Sequence, residues 1–148
     1  MNSFTLKQYL IRLGASLLGL IAGGFLNGGI INLSSKIIAL PVGVDPNSIE
    51  SIKANIHLYE PKHFAMPFLA HALGTLAGAF IATRLGDRIS IFPALLIGAF
   101  FLYGGYSMVK LLPGAPMWFN VLDLTMAYIP MAILGWWLGR KNILTTPE

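Results

Sequence analysis

Residues 66–83 read MPFLAHALGTLAGAFIAT. No Asp, Glu, Lys or Arg interrupts these positions. A charge-free apolar run of this length is what a hydrocarbon core of about 30 Å asks of a helix. Two further features are set into it. Ala70, Gly74, Gly78 and Ala82 recur every fourth residue, and a single imidazole, His71, sits a little over one turn from the start.

Three similar runs accompany it: Leu13 to Leu33, Ile91 to Val109 and Met117 to Leu138. The 148-residue chain is 55% hydrophobic and only 11% charged, where a soluble domain carries roughly a quarter of charged residues. Its mean hydropathy is +0.70. The expected fold is an all-α integral membrane protein, one domain over residues 1–148, with four transmembrane helices. The connections at 84–88 and 111–116 are short, so consecutive helices are expected to be antiparallel neighbours in a bundle. The first run is too long for the core of a signal peptide and reads as a retained span.

The net charge is +4, but the basic residues are scattered singly near span ends, which is a topology signal and not a nucleic-acid surface. Placing both termini in the cytoplasm puts Lys7, Arg12, Arg84, Arg88, Arg140 and Lys141 inside and Lys36, Lys53, Lys62 and Lys110 outside. Every arginine then lies inside, so the reading is N-in and C-in. Trp136 and Trp137 at one end, and Trp118 with Phe119 at the other, fit the two interfacial aromatic belts. The absence of cysteine excludes disulfides and thiolate metal sites.

The outer loop, residues 34–65, is expected to hold a short amphipathic helix. Asn47-Ser48-Ile49-Glu50 offers a capping box opened by Asn47, followed by Ile49, Ile52 and Ile56 at helical spacing. Pro61 should end or kink that helix. It is read either as a lid on the helices or as a segment lying on the membrane surface. His57, Glu60 and His63 are a candidate set of ligands for a divalent metal. Against them, Pro61 breaks the helix, and their spacing fans over about 120° of helix surface. No other cofactor is expected.

Depth gives the stronger signal. Asn27, His71, Tyr103 and Asp123 each fall five to seven residues inside the outer end of their span, roughly 8–10 Å down at 1.5 Å per residue. Each helix would thus bring one polar group to a common layer. Asp123 is the costly member and should find a partner, with His71 first and Asn27, Tyr103 or Tyr128 behind it. Thr75, one turn beyond His71, is a secondary member. Such a layer either fixes helix register by hydrogen bonding or relays protons and holds a cation.

Small residues let membrane helices approach closely. The Ala70, Gly74, Gly78, Ala82 face, with Ala15, Gly19 and Gly23 in the first span and Gly135 and Gly139 in the fourth, serves either packing within the chain or a homo-oligomer. Beyond the lipid bilayer and such a copy, no partner is indicated.

Glu60-Pro61-Lys62-His63-Phe64 followed by Pro67-Phe68-Leu69-Ala70-His71-Ala72-Leu73-Gly74-Thr75 resembles the signature of an uncharacterised family of small four-span bacterial membrane proteins. The resemblance extends to Pro41 to Asp45, Trp118-Phe119 and Leu122-Asp123-Leu124. It implies a bacterial inner membrane and four helices. The family has no established activity, so it assigns no role to any residue.

Nucleotide-loop, metalloprotease and serine-hydrolase motifs are missing, and the chain is not read as an enzyme. The expected function is a component of a permease or channel for a small solute, an ion or protons. A non-catalytic membrane scaffold is the alternative, and a membrane metalloenzyme the third reading.

Overall fold

The computed structural model describes residues 3–140; Lys141, counted in the charge reading, lies outside them. Every regular element among the described residues is a helix: α1 (Ser3–Ile37), α2 (Ile49–Asn55), α3 (Pro61–Leu85), α4 (Phe92–Leu111), α5 (Met117–Met126) and α6 (Ile129–Gly139), with a 3₁₀ turn over Ile56–Leu58. Four helical stretches are long and apolar enough to cross a membrane: Thr5–Ile37, Pro61–Leu85, Phe92–Leu111 and Met117–Gly139. Their outward faces carry Phe25, Phe92, Phe100 and Met117, all more than half exposed. Water would not tolerate that surface and lipid does. The chain is a multi-pass membrane protein.

Span boundaries differ from the hydropathy reading. α1 has 35 residues, about 52 Å at 1.5 Å per residue, because nothing before Leu13 breaks a helix. α3 begins at Pro61 and not near Met66, since proline at the first helical position gives up an N–H that has no intrahelical partner there. α2 is capped one residue later than expected. The Ser48 hydroxyl accepts from the Ser51 N–H at 3.2 Å, while the Asn47 N–H donates to Asp45. Between α1 and α2, Gly43 at φ +88° supplies the positive dihedral of a turn closed from Val44 N–H to Pro41 C=O.

The fourth span is two helices. Pro130 has no N–H for the Met126 carbonyl, and its ring crowds that carbonyl. The ladder therefore stops where the Ala127 N–H meets the Asp123 carbonyl at 3.0 Å, and resumes where the Ala132 N–H meets that of Tyr128 at 2.8 Å.

Packing is set by missing side chains. A Cβ on Gly74 would lie 2.8 Å from the Gly23 carbonyl oxygen, and one on Gly78 2.8 Å from that of Gly19. The pairs run in opposite order along the chain, so α1 and α3 cross antiparallel with backbones in contact. α6 lies on the next face of α3, where a Cβ on Gly135 would meet the Leu76 carbonyl and one on Gly139 the Phe80 carbonyl. The core between α3, α4 and α6 is correspondingly small: Ala79, Ala82, Ala94, Ile97 and Ala132. The small ladder of α3 is thus filled within the chain: Ala70 and Ala82 are fully buried, and Gly74 and Gly78 are covered by α1. Of the two uses open for this face, packing within the chain is the one the structure has.

At the end holding the α3–α4 turn, Arg12 pairs with Asp87 at 2.9 Å. The Asp87 carboxylate also accepts the N–H groups of Ile89 and Ser90.

Candidate functional site

α2 settles over the other end. Ile49, Ile52 and Ile56 turn inward, and Ile56 rests on the bare backbone of Gly114 in the α4–α5 turn. Beneath them is a cavity of about 200 Å³. Of the two placements open for this segment, the structure has the lid. On α3 the cavity is lined by His63, Pro67 and His71, a stripe of about 12 Å at 1.5 Å per residue. Phe64 and Phe119 lie with ring centroids 4.8 Å apart and join the α3 and α5 walls.

The floor is polar. His71 Nδ1 stands 2.8 Å from Asp123 Oδ1 and 3.0 Å from Oδ2, and the Tyr128 hydroxyl donates to Oδ2 at 2.8 Å. The Tyr128 ring stacks on the imidazole at 5.6 Å between centroids. Asp123 keeps 4% of its side-chain surface and His71 17%. A buried carboxylate in a span needs partners of this kind. The helix break is what brings Tyr128 in: it is the residue before α6, released from the helical ladder of α5.

His71 Nδ1 is fixed on the carboxylate, so the other ring nitrogen is the chemically available one. Nε2 has no partner among the described residues, yet it is not enclosed: the buried polar atoms left unpaired there are Thr83 Oγ1 and Trp136 Nε1. The ring lines the cavity. A carboxylate that orients an imidazole lining a ligand space and leaves its Nε2 unpaired makes a proton acceptor or donor.

The remaining expected residues fall elsewhere. Tyr103 is 72% exposed and leaves the layer: its depth is right, but its face of α4 points to lipid. Asn27 is half-buried, its Cβ against Gly74, and its amide makes no hydrogen bond among the described residues. The Thr75 hydroxyl donates to the His71 carbonyl at 2.8 Å, which satisfies a buried group and leaves it outside the cluster. Asn120, one turn before Asp123 on the same face, also lines the cavity. Its i−3 spacing from Asp123 was the available signal for it.

His57, Glu60 and His63 do not converge. His57 and Glu60 are exposed, and His63 is buried. His63 Nδ1 accepts the Glu60 N–H at 2.8 Å, so Nε2 carries the proton it donates to the Ala39 carbonyl at 3.0 Å. Both nitrogens are spent on capping α3 and tying it to the end of α1. Glu60 is drawn instead to Lys62 at 2.9 Å, whose ammonium holds the carboxyl below its ordinary value. No group of three metal-ligating side chains forms among the described residues.

Comparisons with protein-family models, with curated proteins and with solved structures return no match.

Proposed function

We propose that this chain is a proton-linked permease component of a bacterial inner membrane. In this reading its spans form an antiparallel bundle with both termini in the cytoplasm, and the α2 lid and the cavity face outward. One observation carries it: the Asp123–His71 pair forms the floor of a lidded cavity, with His71 Nε2 as its uncommitted polar atom. A hydrogen-bond cluster whose task is to fix helix register has no need of a cavity or of an open imidazole nitrogen. Protonation at Nε2 and solute binding above it share one space, which is the requirement for coupling them. No cofactor or metal takes part.

The test is proton movement in proteoliposomes carrying a pH-sensitive dye. Addition of a transported solute should shift the internal pH, and Asp123→Asn should abolish the shift while the purified variant keeps its helical circular dichroism and elution volume. A normal shift with Asp123→Asn would end the proposal.

A scaffold role has one observation in its favour. Gly24 and Gly28 of α1 have open space where a Cβ would stand, leaving a small-residue face that the chain does not fill.

A further inference from the structure

The charge balance of the cavity names a substrate class, an inference that rests on the permease reading of the same site. When Asp123 is ionised and His71 neutral, Nδ1–H is donated to the carboxylate, and Nε2 keeps its lone pair on a ring that lines the cavity. The cluster then bears one negative charge. One added proton makes it neutral, and Nε2 becomes a donor whichever side of the 2.8 Å contact the other proton occupies. Tyr128 donates to Oδ2.

Nothing else around the cavity carries a formal charge to offset this. Its lining holds no Lys or Arg. The titratable groups facing it are Asp123 from α5, His71 and His63 from α3 and Tyr59 from the connection into α3, with Tyr128 behind them on Asp123. The polar groups from α1 are the neutral Ser34 and Ser35, and α2 and α4 contribute no titratable group. His63 is bound at both ring nitrogens, and burial pushes the Tyr59 phenol up, away from ionisation.

A net charge is expensive in a space of low dielectric. This cavity is balanced by one proton or by one monovalent cation, and not by both. An anion finds no counter-charge. The walls specify the rest: Ile31, Ile52 and Met108 ask for an apolar body, and the Phe64 and Phe119 rings are surfaces that attract a cation. We infer that the cavity binds an amphiphilic primary ammonium, its N–H directed to His71 Nε2 and its apolar part beneath α2, in exchange for one proton.

Three probes of one shape and different charge decide this: phenethylammonium, phenethyl alcohol and phenylpropionate. Each is titrated calorimetrically into the full-length protein in detergent. The ammonium should bind most tightly and release one proton, seen as a dependence of the heat on buffer ionisation enthalpy. As acid supplies the competing proton its affinity should fall, by up to about tenfold per pH unit. Asp123→Asn should weaken it at least tenfold and leave the alcohol unchanged. If that variant does not fold, His71→Leu removes the acceptor Nε2 itself and should weaken the ammonium likewise.

Phenylpropionate binding as tightly as the ammonium would overturn the inference, as would ammonium binding that releases no proton at any pH across the acid-to-neutral range or no binding of any probe at millimolar concentration. Asp123-dependent binding of the alcohol or the carboxylate would remove the substrate class and leave the permease reading standing. Ammonium binding without vesicle flux would do the reverse.

Discussion

Gly105 of α4 lies against the phenol of Tyr128, whose hydroxyl and ring carbons occupy the place where a Cβ at Gly105 would be. That contact holds the hydroxyl on Asp123. Gly105→Ala should therefore push Tyr128 off the carboxylate, lower stability by about 1–3 kcal/mol as overpacking does, and impair proton-linked uptake. Tyr128→Phe keeps the ring and loses the hydroxyl, so it should impair uptake with a smaller loss of stability. Thermal unfolding in detergent beside the vesicle assay separates the two effects. An unchanged midpoint for Gly105→Ala would show that the phenol is elsewhere.

The glycines of the first and second spans divide into those that meet a neighbour and those that do not. Gly78→Ala drives a methyl toward the Gly19 carbonyl oxygen and should cost about 1–3 kcal/mol. Gly24→Ala meets open space and should be neutral or stabilising by up to about 1 kcal/mol, because alanine is the better helix former. Equal effects of the two in a chemical-unfolding series would contradict the α1–α3 crossing.

His63 is a latch with a defined tautomer. Its removal in His63→Ala frees the Glu60 N–H and the Ala39 carbonyl, a loss of about 1–3 kcal/mol for buried groups left unpaired. Hydrogen exchange should rise in residues 38–48 and in the first turn of α3, with the ladder of α6 unaffected. Exchange unchanged in those two segments would mean that the lid is held without it.

Asp87 gives the fold an acid dependence outside the membrane. The Ile89 N–H lowers its carboxyl most; burial opposes this, and the Ser90 N–H and the Arg12 guanidinium lower it further. The folded value lies below the unfolded one, so the stabilisation is full above the ordinary aspartate value and disappears as pH falls through the folded value. Asp87→Asn should be less stable than the parent at neutral pH and converge with it in strong acid. Parallel stability curves across that range would refute the assignment.

Depth was readable from the sequence and azimuth was not. A fixed rise per residue places His71 and Asp123 level with each other, and the structure brings them together. The same rise places Tyr103 there too, but depth does not say which face of α4 it occupies, and that face looks to lipid. Tyr128 belongs to the cluster because the fourth span is broken. Pro130 was the visible sign of that break, yet hydropathy runs across it without interruption. His63 shows a different limit. Its spacing from His57 and Glu60 invites a metal, and its role as a cap depends on α3 starting at Pro61, which the apolar run conceals. The small-residue stripes of the first, second and fourth spans announced close approach, and which residues pair emerged only when Gly19 and Gly23 met Gly78 and Gly74.

That glycine ladder also supplies nearness without position. Its residues repeat every fourth position, so α1 shifted along α3 by about 6 Å would find small residues opposite small residues again. Smooth surfaces of this kind form a rail. Its stops are the Arg12–Asp87 ion pair at one end and the His63–Ala39 hydrogen bond at the other. Longitudinal alignment of the two longest helices is thus assigned to two polar contacts near the membrane faces, and the apolar interior between them is left free of that task.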